Sequence, residues 1–184
     1  MKIKRIALPI SDKDIGLLKC GDSVLLTGSM LTARDASHKL IVTALADRAD
    51  LPFDLKGQTI YYTGPAPARP GHIVGSAGPT TSSRMDKYTP ALLEHGLKCV
   101  IGKGRRSAEV RDKLMKHRAV YLAAIGGAGA LLSRTIKRID LVAYPELGAE
   151  AIYHLEVEDF PAVVINDIYG GDLYDSGKAA HRKR

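Results

Sequence analysis

Nine residues, Gly78-Pro79-Thr80-Thr81-Ser82-Ser83-Arg84-Met85-Asp86, crowd two glycine/proline breakers, four hydroxyls and one guanidinium into a single turn. An anionic small molecule would find backbone N–H groups, hydroxyls and a cationic fork converging there. A turn that only reversed the chain would need fewer donors. Two further cations stand at similar places. Arg34 follows a strand and turn and precedes a helix start, where helix N-termini favour anions, so it calls for an anion nearby. Lys103 sits between Gly102 and Gly104 at a strand end, with unusually free backbone around it, and can point into a cleft.

Other chemistries find little support. Gly126-Gly127-Ala128-Gly129 follows a strand and opens a helical run, which suits either an anion at a helix N-terminus or a tight turn. It lacks the GxGxxG spacing of a dinucleotide site, and Ile101-Gly102-Lys103-Gly104 lacks the spacing and hydroxyl of a P-loop. None of the six histidines has metal-ligand spacing with another, and no Ser/His/Asp elbow or HExxH is present. Cys20 and Cys99 form no CxxC pair, and two thiols fall short of the three or four ligands that a zinc or iron–sulfur site takes. Both read as buried thiols. This sequence by itself supplies no complete catalytic apparatus.

The 184 residues suffice for one well-cored domain. Residues 1–177 read as that domain and 178–184 as a basic, solvated, frayed tail. With no Trp and two Phe, the core falls to Ala, Val, Ile and Leu. The N-terminus is too short in its apolar part for a signal peptide, and no run approaches the ~20 apolar residues of a membrane span. A cytoplasmic location is therefore expected. The formal charge of +7 suits an anionic substrate or a nucleic-acid surface and does not choose between them.

The elements that must position these residues alternate strand and helix, an α/β pattern. Strands are expected at the N-terminus, Val24–Gly28, Thr59–Thr63, His72–Gly75, Lys98–Gly102, Ala119–Ala124, Arg138–Ala143, Ala151–Val157 and Ala162–Ile165. Helices are expected after an Asp35 cap, after a Thr89 cap with Pro90 at the first position, after a Ser107 cap and after Gly129, three or four in all. Pro65, Pro67 and Pro70 make 65–71 a rigid loop.

Several motifs together resemble a known family. Leu26-Thr27-Gly28 with Thr32-Ala33-Arg34-Asp35-Ala36-Ser37-His38-Lys39 is similar to the "TG…RDxxHK" signature of the class I fumarase C-terminal region. Gly78 to Asp86 resembles its "GPTTxxRMD", Tyr62 to Pro65 its "GP" and Ile101 to Gly104 its "GKG". Glu146 to Ile152 and Val157 to Pro161 match a late segment. The run Asn166-Asp167-Ile168-Tyr169-Gly170-Gly171-Asp172 departs from the family's "DDxxGND".

The resemblance is to iron–sulfur hydro-lyases, class I fumarase and L-tartrate dehydratase, in which the two regions are joined or form separate α and β subunits. It implies a single-domain swivelling β/β/α fold and the role of a β subunit. It also implies a 4Fe-4S cluster held by three cysteines of a partner α subunit, in an α2β2 assembly or with self-association of the isolated chain. Arg34, Arg84, Lys103 and Thr81 would bind a dicarboxylate, the arginines in two-pronged fashion, and Thr80 would be the base for the C3 proton. The expected reaction is reversible hydration of fumarate to L-malate; tartrate and mesaconate are the alternatives. A basic nucleic-acid-binding module would instead interleave aromatics with Lys and Arg on a sheet face, whereas the eight Tyr and two Phe are spread among apolar strands and loops. A dicarboxylate-binding protein without turnover is a further alternative.

Overall fold

Residues 3–182 are described by a computed structural model. Five strands run parallel to one another: β1 (Lys4–Leu8), β2 (Ser23–Thr32), β3 (Thr59–Tyr61), β4 (Cys99–Gly102) and β5 (Val120–Ala123). Two more, β6 (Ile136–Ala143) and β7 (Ile152–Asn166), form an antiparallel pair. One edge of β7 pairs with β2; the other pairs with β6 and then with β5. Strands β2, β3, β4, β5 and β7 therefore close into a five-stranded barrel, which β1 and β6 extend. The expected single-domain α/β architecture is the one observed.

Alternation along the strands divides the core in two. Leu26, Tyr61, Ile101, Leu122 and Phe160, one from each barrel strand, belong to a single buried cluster that fills the barrel. The opposite faces, with Ile60, Val100 and Tyr121, pack beneath helices α2 (Asp35–Ala46), α3 (Thr89–Glu94) and α4 (Ala108–Lys116). The apolar positions Ile41, Leu92, Val110 and Leu114 point into this second cluster. Ser107 caps α4 as expected, accepting from the Val110 N–H.

Several expectations are corrected. His72–Gly75 forms no strand. It runs along the proline loop, where Gly75 N–H donates to Ala66 and Ala66 N–H to Ser76, but Pro65, Pro67 and Pro70 supply no donors for a longer ladder. The segments Ala151–Val157 and Ala162–Ile165 are one strand, β7, with Pro161 inside it. Arg34, not Asp35, is the N-cap of α2, and Tyr88, not Thr89, that of α3.

A helix absent from the sequence reading, α1 (Asp12–Leu17), is capped by the Ser11 hydroxyl. After the short α5 (Gly129–Leu132), α6 (Leu173–His181), capped by Asp172, extends into the segment read as a frayed tail as far as His181. The described residues thus hold six α-helices. Lys183 and Arg184, and the start of the first-strand reading at Met1-Lys2, lie outside the described residues. Cys99 is buried, but Cys20 is only half-buried. No described helix is long and apolar enough to cross a membrane.

The pairing of β1 with β2 depends on Gly28. Its φ is 124°, and a Cβ there would collide with the Leu8 carbonyl on β1, beside a bulge in the β2–β7 register. Gly28→Ala should therefore cost roughly 1–3 kcal/mol. That corresponds to a fall of about 2 to 12 °C in Tm, measured by calorimetry. An unchanged Tm would show that the close approach carries no strain.

Candidate functional site

All five candidate residues lie where parallel strands end, the edge at which α/β sheets place ligands. β2 runs out into Arg34, β4 into Lys103, and the Gly78–Asp86 turn sits between the exits of β3 and β4. Beyond Tyr62, whose N–H still donates to Ile101, those two strands part. The turn fills the gap as a short extra strand. Thr80 N–H donates to the Tyr62 carbonyl (2.6 Å), Lys103 N–H to Thr80 (3.2 Å) and Ser82 N–H to Lys103 (2.8 Å). Thr81 and Lys103 pair as a parallel bridge.

The side chains beneath the turn are committed to holding it. Thr63 donates to the Gly78 carbonyl (2.9 Å) and Tyr61 to that of Ala77 (2.6 Å). The buried Ser82 hydroxyl meets the Tyr121 hydroxyl at 2.9 Å, and Tyr121 donates onward to Gly104. Gly102 permits this packing, because a Cβ there would collide with Ser82 Oγ. At the far end Asp86 accepts from Arg106 Nε (2.7 Å) and from Ser107 N–H (2.7 Å). Arg106 is buried between the Tyr62 and Tyr121 rings and also donates to Thr89 Oγ1 (2.6 Å).

The side chains of Thr80, Thr81 and Lys103 are not committed in this way. Among the described residues neither Thr80 nor Thr81 uses its hydroxyl in a hydrogen bond, and Lys103 makes no ion pair. Lys103 is exposed and its chain runs past Gly126, so the glycine run contributes room. Arg84 lies on the 3-10 turn Ser82–Met85, half exposed. Its Nε donates to Asp35 Oδ1 (2.9 Å), its Nη2 lies 2.8 Å from Oδ2, and Nη1 remains open.

Arg34 has the anion its position required, but within the chain. Its Nη2 lies 3.2 Å from Glu150 Oε1, and the other oxygen of Glu150 accepts from Ala36 N–H in the first turn of α2. Arg34 Nε is buried without a hydrogen-bond partner among the described residues. An apolar cleft of about 360 Å³, lined by Pro65, Ile73, Leu141, Ala149 and Tyr153 among others, adjoins this edge but contains none of the five candidates.

The local charge balance differs from the sequence-based one. Three cations, Arg34, Arg84 and Lys103, share the edge with two carboxylates, Asp35 and Glu150. One net positive charge is left, rather than three, to meet an anion. The sequence reading missed both carboxylates as members of the site, although each lies in a quoted motif. It also missed Arg106, for which the only signal was the aspartate ending the turn.

The thiols do not fit a metal cluster. Cys99 is enclosed in the barrel, where burial pushes its thiol up to about 12. Burial raises Cys20 too. Among the described residues no three of His, Cys, Asp and Glu gather closely enough to hold a metal ion.

His38 underlies the Arg34 turn. Its Nδ1 donates to the Arg34 carbonyl (2.7 Å), and its ring meets Tyr62 edge-on and stacks on Tyr88. Burial, with help from the Arg106 cation, lowers it to about 4 against the Arg34 hydrogen bond. The folded ring stays neutral where an unfolded one takes a proton, from about pH 6.5 downward. The unfolded state then binds more protons, so stability falls as pH drops from about 6.5 toward 4, by at most ~1.4 kcal/mol per pH unit. His117, lowered by burial, acts in the same direction. Asp12, held low by Lys98, and Glu94, held low by Lys113, begin to lose their contributions as pH falls toward their ordinary carboxylate values, so they add to the fall at the acid end of this range. Urea unfolding across this range should show the slope in the wild type and a flatter one in His38→Gln.

Comparison with known proteins places the chain. Residues 1–177 match the family model described as the fumarase C-terminus. The chain is 44% identical over 151 residues to the anaerobic class I fumarate hydratase of Escherichia coli, 81% of this chain and 28% of that enzyme. It is 42% identical over 156 residues to fumarate hydratase 2 of Leishmania major, 84% of this chain and 28% of that enzyme. It is 38% identical over 172 residues to a Methanocaldococcus jannaschii protein provisionally named L(+)-tartrate dehydratase subunit beta, 90% of this chain and 88% of that one. The chain spans only about 28% of the length of the fumarate hydratases it matches.

Proposed function

We propose that this chain, which belongs to the fumarase C-terminus family, supplies the carboxylate-binding face of a hydro-lyase that interconverts fumarate and L-malate. The observation that carries the reading is the set of uncommitted donors at one sheet edge: Thr80 and Thr81 hydroxyls, the Lys103 ammonium and Arg84 Nη1, all on backbone pinned from below. A dicarboxylate leaving water needs such donors at both ends. Arg84 and Arg34 would bind carboxylates, Lys103 would add a point charge, and Thr80 would stand at the proton being moved. A hydroxyl is a weak base at its free pKa, so this role requires the neighbouring cations.

The face is open, and most of each fumarate hydratase relative has no counterpart in this chain. On this reading a partner α subunit covers the face and carries the 4Fe-4S cluster, since the two cysteines of this chain fall short of the three such a cluster takes. The assembly would be α2β2. A second reading, a β subunit acting on tartrate, draws support from the likeness to the Methanocaldococcus jannaschii protein over 88% of its length. Competing substrates offered to the reconstituted enzyme decide between them.

Turnover follows from loss of fumarate absorbance. The chain alone should hydrate no fumarate, while anaerobic co-expression with a cysteine-bearing α partner should restore activity. Activity in the purified chain alone would overturn the division of labour. Within the active complex, Arg84→Lys keeps the charge but loses the fork, and should cut kcat/KM roughly tenfold or more, the equivalent of about 1.4 kcal/mol. Thr80→Ser should retain much of the activity and Thr80→Val lose it, with thermal unfolding close to wild type in both. A purely structural turn would instead lose stability and keep kcat/KM per folded molecule.

A further inference from the structure

The two arginines read as carboxylate binders each hold a carboxylate of the chain itself. Arg34 meets Glu150 and Arg84 meets Asp35. Asp35 is the fixed member of the second pair. It is the first residue of α2, held by the helix backbone, and a negative charge is favourable at a helix N-terminus. Arg84 is the movable member, a long side chain on a short exposed turn, half exposed. An ion pair at such exposure adds little to folding. Its geometry is nonetheless specific: Asp35 Oδ1 accepts from Nε, Oδ2 lies 2.8 Å from Nη2 as an ion-pair contact without hydrogen-bond geometry, and Nη1 is left open. A guanidinium gripped on one side has lost most of its rotamer freedom before a ligand arrives, so less entropy is lost on binding.

We propose that Asp35 is a positioning residue, which clasps Arg84 by its Nε–Nη2 side and presents Nη1 to a carboxylate of the substrate. The proposal rests on the reading of Arg84 as a substrate contact. Asp35 then acts through Arg84 and touches no reacting atom. A competing role is available on the same geometry, since Asp35 could act as a built-in rival that the substrate must displace. The two roles differ in sign. Loss of a positioning residue weakens substrate binding, while loss of a rival strengthens it.

The test uses the complete enzyme with L-malate as the probe, and compares Asp35→Ala, Asp35→Asn, Arg84→Ala and the Asp35→Ala/Arg84→Ala double variant. Asp35→Ala should raise KM roughly tenfold with a smaller change in kcat and a Tm within about 2 °C of wild type. Asp35→Asn, which keeps one acceptor oxygen, should fall between. In the Arg84→Ala background, removing Asp35 should cost nothing further, the mark of two residues acting as one. In the chain itself, the Arg84 Nε–Hε signal in NMR should exchange with water more slowly than in Asp35→Ala. A KM that is unchanged or lowered in Asp35→Ala overturns the proposal, as does a Tm loss without a KM change. If Arg84→Ala keeps the wild-type KM, the ligand contact itself falls and the proposal falls with it. If Arg84→Ala raises KM and Asp35→Ala does not, only the positioning role is lost.

Discussion

One buried guanidinium holds the candidate edge in place. Strands β3 and β4 separate after Tyr62 and Gly102, and the Thr80–Ser82 segment fills the opening. Such a wedge has only short backbone pairing on each side, so its ends must be tied down. Arg106 ties the far end through Asp86 and Thr89, between two tyrosine rings. Breaking a buried ion pair by removing one partner costs about 3–5 kcal/mol, because the survivor is left charged and unpaired. That penalty keeps Asp86 where it is. The position of Asp86 in turn sets where Arg84 leaves the turn.

The basic character of the chain therefore divides into cations with different work. Arg106 spends Nε and both terminal nitrogens on the fold. Arg105 and Arg111 pair with Asp175, joining the β4 exit and α4 to α6. Arg34 is half spent, on Glu150. At this edge Arg84 and Lys103 keep exposed donors in reserve, and Arg34 keeps a buried Nε without a partner among the described residues. A formal +7 thus overstates what this edge offers an anion. The carboxylates that reduce it, Asp35 and Glu150, are anchored at the N-terminus of α2, where negative charge is favoured anyway.

What the sequence made legible was local. Breakers, β-branched runs and capping residues lie within a few positions of what they control, so most strands and the helices after Arg34, Tyr88 and Ser107 were readable. The turn and its hydroxyls were readable for the same reason, and the motif likeness joined them to Arg34 and Lys103. Pairing across distance was not readable. Arg34 with Glu150, Arg84 with Asp35 and Asp86 with Arg106 are set by strand order, which no spacing records. The single strand β7 was divided at Pro161, a residue that ordinarily ends a ladder. It is tolerated because that edge of β7 carries no partner between Val157, which meets β6, and Val163, which meets β5. His72–Gly75 erred the other way, since a β-branched pair suggests a strand where flanking prolines remove the donors.

The openness of the edge bears on the proposed chemistry. A carboxylate held by Arg84 and Lys103 in contact with water would be screened and would gain little. The same donors in a covered site act in a lower dielectric, where each hydrogen bond to the charged group strengthens. Covering also raises the penalty for charges left unmatched. With one net positive charge on this face, a dianion would bring a surplus negative charge into the covered space. The proposed partner must then bring positive charge as well as a lid, and the site acquires its affinity only when the two faces meet. Arg106 and the wedge make that meeting productive, because the backbone that presents the donors is already fixed before the second face arrives.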